Sequence, residues 1–185
     1  MQYNFDEVID RSNTQSMKYD YLPEKAPEGT LPLWVADMDF PCAQPIVEAL
    51  HQRVDRLIYG YSFYHSMEVK QTVVDWFKRR FDWEIDANTM FFCPGVVPAI
   101  SFLLHTLTEP GDGVIIQRPV YYPFTNQLLA RGCKVVNNAL IYENGKYSID
   151  FVDLEEKMAD PANKGMILCS PHNPVGRVWT PEELK

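Results

Sequence analysis

The pattern of apolar and polar positions changes twice along the chain. Residues 1–40 follow neither a helical nor a strand period and are rich in proline and aromatic side chains, so we expect an irregular arm there. From Pro45 to about residue 58, and again between residues 66 and 81, apolar side chains recur at helical spacing and predict helices. Their apolar positions are Ile46, Val47, Leu50, Val54, Leu57 and Ile58 in one, and Val69, Val73, Val74, Phe77 and Phe81 in the other.

Beyond residue 89, short apolar runs alternate with helical patterns. Strands are predicted at 90–93, 114–117, 134–136 and 166–169. Helices are predicted between them, one of which ends at Gly132 and another of which covers residues 150–158. Apolar strands separated by helices are typical of a mostly parallel sheet covered on both faces. The pattern therefore predicts an α/β fold with three layers, α/β/α.

Composition and charge exclude some classes of protein. The formal net charge is -8, from 17 basic and 25 acidic residues, which argues against a nucleic-acid-binding module. No apolar stretch is long enough to span a membrane, and no signal peptide follows Met1. The four cysteines are dispersed without a CxxC pair, so we expect free thiols and a cytoplasmic protein. His51, His65 and His105 lack nearby Cys or carboxylate partners, and we predict no metal site.

The last residues carry the signals that start a helix. Thr180 is a capping residue, Pro181 suits the first helical position, and Glu183 completes a capping box. Only Leu184 and Lys185 follow. We therefore expect residues 1–185 to be the amino-terminal part of a longer protein.

The first candidate for chemistry is the turn at Gly95, between a predicted strand and a predicted helix. Free backbone N–H groups at the start of a helix, together with the helix dipole, attract anions. The amides of Val96 and Val97 can therefore hold a phosphate without a charged side chain, and Pro98 needs no N–H in the first turn. The alternative is an ordinary strand-to-helix turn.

Two further candidates follow the next predicted strands. Tyr121 comes after the strand at 114–117 and can lay its ring against a flat cofactor ring, whereas Phe124 and Tyr122 are expected to pack in the core. Asn173 comes after the last strand, where open α/β sheets bind ligands, and its amide can bond a ring substituent. The alternatives are a pair of core aromatics and a proline-rich turn that only reverses the chain.

The run Asn173-Pro174-Val175-Gly176 resembles the Asn-Pro-x-Gly signature of the pyridoxal-phosphate (PLP) enzymes of fold type I, the class I/II aminotransferase superfamily. Gly95, Tyr121 and Asn173 follow in the order and approximate spacing of that fold. Residues 31–40, together with Tyr59-Gly60-Tyr61, make the chain similar to the MalY/PatB-type cystathionine β-lyases of this superfamily. The likeness covers nearly the whole chain.

The resemblance implies a role for each candidate. Val96 and Val97, next to Gly95, would contact the phosphate of PLP. Tyr121 would stack on the pyridine ring, and Asn173 would hydrogen-bond the phenolic oxygen.

The resemblance also implies a homodimer with active sites at its interface. Tyr61 would reach the phosphate bound by the partner subunit, and Ala36 would lie near the substrate. Residues 1–45 would be the arm and part of a small domain, and residues 46–185 would begin the large PLP-binding domain. Asp37 and Asp39 are expected to brace the arm, and His172 to be structural.

The implied reaction is the α,β-elimination of cystathionine or a related sulfur amino acid to a thiol, pyruvate and ammonia. The Schiff-base lysine, the carboxylate beside the pyridine nitrogen and the arginine for the substrate carboxylate would all follow the Asn173 turn. Hence no catalytic residue is predicted within residues 1–185, which are expected to be inactive alone. Two alternatives stay open, an aminotransferase and a non-catalytic regulator that keeps the fold.

Overall fold

The computed structural model describes residues 3–63 and 66–185; His65 lies outside them. The chain divides into two compact units, one up to Ser62 and one from Phe63 onward. The division expected at residue 45 remains a prediction. The helices are α1 (Gln44–Val54), α2 (Met67–Phe81), a short 3₁₀ helix (Ala87–Thr89), α3 (Val96–Leu107), α4 (Tyr122–Arg131) and α5 (Phe151–Ala159). The strands are β1 (Gly113–Ile116), β2 (Lys134–Asn137), β3 (Ile141–Glu143), β4 (Lys146–Ser148) and β5 (Asn163–Met166).

The second unit is built on a parallel sheet with the strand order β2-β1-β5. Crossovers between parallel strands are right-handed as a rule. The connection from β1 to β2 contains α4 and crosses the sheet in one direction, whereas the connection from β2 to β5 contains α5 and crosses it in the opposite direction. With right-handed crossovers, α4 and α5 therefore lie on opposite faces of the sheet. The predicted α/β class is therefore confirmed.

The core lies where the central strand meets α3 and α4. All four residues of β1 are buried. One face of the sheet forms an apolar cluster with the two helices; its buried members are Leu104, Val114, Ile116, Phe124, Leu128 and Cys133. Ile115 points to the opposite face and is also buried. Gly132 ends α4 as predicted, with φ 82°.

Two predicted strands require correction. Residues 90–93 form no strand, because among the described residues they pair with no other strand, and Phe91 and Phe92 are largely exposed. The strand expected at 166–169 begins and ends three residues earlier, as β5. Its register explains the shift: Gly165 and Met166 pair with Val114 and Ile115, although the run 163–165 is polar or small.

A hairpin was not predicted. Strands β3 and β4 are antiparallel and are joined by Asn144-Gly145, both with positive φ (50° and 77°). This geometry suits a two-residue type I′ turn, for which Asn-Gly is the preferred sequence. The signal was present, but the strands beside it are only three residues long.

The first unit is held by charges more than by a core. Arg11 bridges Asp37 at 2.6 Å and Asp39 at 2.9 Å, and the nearly buried Lys18 bonds Asp39 at 2.6 Å. Trp34 donates its indole N–H to the carbonyl of Lys18. The expectation that Asp37 and Asp39 brace the arm is confirmed. Within the described residues, no helix combines the length and the apolar composition needed to cross a bilayer.

Candidate functional site

The start of α3 presents two backbone amides that have no hydrogen-bond partner in the described part of the chain. Gly95 is the N-cap, and its carbonyl accepts the amide of Ala99 at 3.1 Å. Pro98 has no N–H, and no acceptor among the described residues is bonded to the amides of Val96 or Val97. Both amides belong to the positive end of the helix dipole, which favours an anion. The backbone therefore offers a pair of N–H donors of the kind that binds phosphate.

Tyr121 is the N-cap of α4, and its ring contacts two neighbouring aromatic rings. Its ring meets Phe124 edge to face at 5.8 Å and Tyr122 at 5.6 Å. Phe124 is buried as expected, whereas Tyr122 is 71% exposed, so the core role expected for Tyr122 is wrong. Tyr122 is the first residue of the helix, and its ring lies beside that of Tyr121 without being buried. Tyr121 is 36% exposed and keeps part of its ring free for a ligand.

Asn173 lies on a turn that is closed by its neighbours. The backbone amide of His172 donates to the carbonyl of Arg177 at 2.6 Å, and the carbonyl of His172 accepts the amide of Gly176 at 2.7 Å. The side chain of Asn173 is exposed and, among the described residues, makes no hydrogen bond. Its carboxamide is therefore free to bind a ligand. His172 is 1% exposed, as a structural residue would be, and its role stays a prediction.

These three places lie at one edge of the sheet. Hydrogen bonds join the link 108–112 to the end of α4, including Gly111 N to Gly132 O at 2.8 Å, so α3 and α4 both end beside the start of β1. Both helices therefore start at the carboxyl edge of the sheet, where β5 also ends. This is the edge at which open α/β sheets bind ligands.

Ala36 and Tyr61 lie in the first unit. Ala36 is exposed at the centre of a tight turn in which the amide of Asp37 donates to the carbonyl of Val35 at 2.9 Å. Tyr61 is fully exposed, and among the described residues its side chain takes part in no hydrogen bond or ring contact.

A buried chain of hydrogen-bonded polar side chains, which begins directly after β1, was not predicted from the sequence. Gln117 donates to Asn138 at 3.0 Å, and Asn138 in turn donates to Asp153 at 2.7 Å. That hydrogen bond, followed by the ion pair with Lys157, lowers the pKa of the Asp153 carboxyl. The only signal was the presence of polar residues directly after the apolar strands β1 and β2. Within the described ranges, no cluster of His, Cys, Asp and Glu side chains is placed to hold a metal ion.

An open parallel sheet with helix-start amides, an aromatic ring and an amide side chain at its carboxyl edge is an arrangement of α/β proteins that suits a phosphorylated ligand. Comparison with known families makes this class specific. The sequence model of aminotransferase class I and II matches residues 30–185, and the chain belongs to this family.

Relatives and solved structures agree with that family. The chain is 43% identical over 98% of its length to cystathionine beta-lyase PatB of Bacillus subtilis and 34% identical over 99% to protein MalY of Escherichia coli. Cystalysin from Treponema denticola, whose structure contains pyridoxal 5′-phosphate, superposes on all of the chain with a TM-score of 0.91 and 40% identity. The PLP-bound C-S lyase from Staphylococcus hominis gives 0.88 and 34%. The chain spans 47% of the length of each of them.

Proposed function

We propose that the full-length protein is a PLP-dependent carbon–sulfur β-lyase acting on cystathionine or a related sulfur amino acid. The observation that carries this proposal is the 43% identity with cystathionine beta-lyase PatB over nearly the whole chain, arm included. The likeness to the PLP-bound C-S lyase of Staphylococcus hominis supports it.

The residues present fit a phosphorylated aromatic ring. The unpaired amides of Val96 and Val97 suit a phosphate, the partly exposed ring of Tyr121 suits a flat heterocycle, and the unbonded carboxamide of Asn173 suits an oxygen substituent. Three kinds of donor or contact therefore match the three parts of PLP.

We assign the roles accordingly. Val96 and Val97 donate to the phosphate, and Gly95 gives the backbone the conformation that presents them. Tyr121 would cover one face of the ring and keep water from it, and Asn173 would donate to the phenolic oxygen. When bound, PLP supplies an electron sink for the carbanion that forms when the α-proton of the amino acid is removed. With water, cystathionine then yields homocysteine, pyruvate and ammonia.

We place the lysine that bonds PLP outside residues 1–185. Several of the described lysines are paired elsewhere: Lys18 with Asp39, Lys157 with Asp153 and Lys164 with the carbonyl of Pro161. Residues 1–185 would then be inactive alone. Borohydride reduction of the holoenzyme, followed by peptide mapping, should find the PLP adduct beyond Lys185. An adduct on any lysine up to Lys185 would refute this placement.

The activity is tested with purified full-length protein and PLP. L-cystathionine should give pyruvate and a free thiol, whereas an amino acid with 2-oxoglutarate should give little glutamate. Glutamate without pyruvate would instead make the protein an aminotransferase. Neither product, together with no PLP binding, would favour the regulator.

We further propose a homodimer in which Tyr61 contacts the phosphate bound by the partner subunit, with Ala36 near the substrate. The fully exposed Tyr61 ring is available for such a contact. Sedimentation should give the mass of a dimer, and Tyr61→Phe should weaken PLP binding. The four cysteines are free, which supports a reducing, cytoplasmic location.

A further inference from the structure

His172 closes the turn that carries Asn173 and is itself enclosed. Its backbone forms an isolated antiparallel bridge with Arg177, and its side chain is 1% exposed. The imidazole meets the Trp179 ring edge to face at 5.5 Å. Trp179 is in turn fixed by its indole N–H, which donates to the carbonyl of Cys169 at 2.8 Å. The His172 ring therefore has a fixed orientation.

The imidazole reaches a segment far away in the sequence. Nε2 of His172 lies 3.0 Å from the carbonyl oxygen of Pro119, two residues before Tyr121. A carbonyl can only accept, so Nε2 carries the proton of this hydrogen bond. Nδ1 is buried and has no hydrogen-bond partner among the described residues. Within those residues, no other hydrogen bond joins segment 118–121 to segment 170–177.

The Pro119 side of this contact is also fixed. Arg118 donates its amide to the side chain of Asn137 at 3.1 Å, and its carbonyl accepts the amide of Leu140 at 2.8 Å. The chain that leads to Asn173 is also tied to the sheet, because the amide of Ile167 donates to the carbonyl of Ile115 in β1 at 2.9 Å. The hydrogen bond from His172 therefore connects two segments that are each anchored to the sheet. One of them leads into Tyr121 and the other into Asn173.

We propose that His172 is a positioning residue that sets Asn173 and Tyr121 in register through its hydrogen bond to Pro119. The inference rests on the proposed function, because it is that function which gives both residues a place at PLP. A general-base role for His172 is not part of it, since the ring is buried and its protonated nitrogen is already bonded. Without the bond, the two segments keep their separate anchors but lose their mutual alignment.

The test compares two substitutions in the holoenzyme. His172→Gln can place an amide N–H near the position of Nε2, whereas His172→Phe keeps an aromatic ring but has no donor. We expect His172→Phe to raise the dissociation constant of PLP, and to lower kcat/KM, by roughly tenfold, because small misplacements at a reacting centre are costly. The circular dichroism of bound PLP should change as well. His172→Gln should stay within about twofold of the wild type in all three.

Leu154→Ala is the matched control for stability. Leu154 lies on α5 and packs against the apolar cluster that contains Trp179. Truncating its side chain weakens the same region without touching the hydrogen bond between His172 and Pro119. It should lower the melting temperature but leave PLP affinity and the dichroism unchanged. Equal PLP affinity in His172→Phe and the wild type, or equal impairment of the Gln and Phe variants, would overturn the proposal.

One measurement needs no variant. ¹⁵N spectra of histidine-labelled wild-type protein should show His172 as the Nε2–H tautomer; an Nδ1–H tautomer would overturn the inference even if His172→Phe does not fold. Failure of the wild type to bind PLP would instead refute the proposed function. Normal binding by the wild type with unaltered binding by His172→Phe would refute this inference alone.

Discussion

Gly95 has a backbone conformation, φ 128° and ψ 165°, that side-chain-bearing residues rarely adopt. A Cβ at this position would lie 3.6 Å from Cδ of Pro98, an ordinary contact, so the constraint is torsional and not steric. This conformation of Gly95 sets the direction of the backbone amides that come next, those of Val96 and Val97. A residue with a side chain would either strain the backbone or turn the amides away.

Replacing Gly95 by alanine should therefore reduce both stability and PLP affinity. We expect a loss of about 1–3 kcal/mol in the free energy of unfolding, measured with urea. Gly165→Ala is the control: Gly165 has an ordinary φ, and a Cβ added there would meet no described atom within 4 Å, so the change should be neutral or slightly stabilising. Equal stability of both variants would contradict the argument from φ.

Asn173 should show the opposite separation, with function lost and stability kept. Its side chain is exposed and unbonded among the described residues, so Asn173→Ala should change the free energy of unfolding by less than about 0.5 kcal/mol. Loss of a hydrogen bond to a charged oxygen should reduce kcat/KM about 10- to 100-fold. Asn126→Ala, on the exposed side of α4, should change neither quantity. A stability loss as large as the loss of activity would mean that Asn173 is structural.

At the scale of elements, most of the helices were predictable and the strand limits were not. The first helix was predicted to reach about residue 58, whereas α1 ends at Val54. The spacing of Val69 to Phe81 is a local property, and α2 forms within the residues it indicated. A strand depends on its partner instead. Residues 90–93 are apolar but unpaired in the described chain, and β5 includes Lys164 and Gly165 because they lie beside β1. Pairing of this kind cannot be derived from a run of apolar residues.

The buried polar chain predicts how β1, β2 and α5 depend on each other. Asn138 is fully buried and donates to the carbonyl of Asp150 and to the carboxylate of Asp153. Asn138→Ala would leave these acceptors and Gln117 without their partner. We expect a loss of about 1–3 kcal/mol in the free energy of unfolding, since buried polar groups without partners are costly. Urea unfolding measures it, with Asn126→Ala as the control; a neutral result would mean that water replaces the lost amide.

At the scale of the whole molecule, hydrogen-bonded carboxylates in both units should govern its response to acid. In the first unit, the hydrogen bond from Lys18 is the largest cause that lowers the pKa of Asp39. In the second, the backbone N–H of Thr180 lowers the pKa of Glu183. A carboxyl with a lowered pKa in the folded state stabilises the fold above its unfolded pKa, about 3.9 for Asp. This contribution is lost as the pH falls through the folded value.

The full-length protein should therefore lose stability progressively as the pH is lowered below about 4, where these groups take up protons. Asp39→Asn removes one such group, so its free energy of unfolding should be lower than the wild-type value near neutral pH and should fall less steeply in acid. Urea titrations at a series of pH values give both quantities. Asp55→Asn is the matched control, because Asp55 is exposed and forms no ion pair with any described residue. Parallel pH curves for wild type and Asp39→Asn would show that the Arg11–Lys18–Asp39 network contributes nothing to stability, and that apolar packing alone holds the arm.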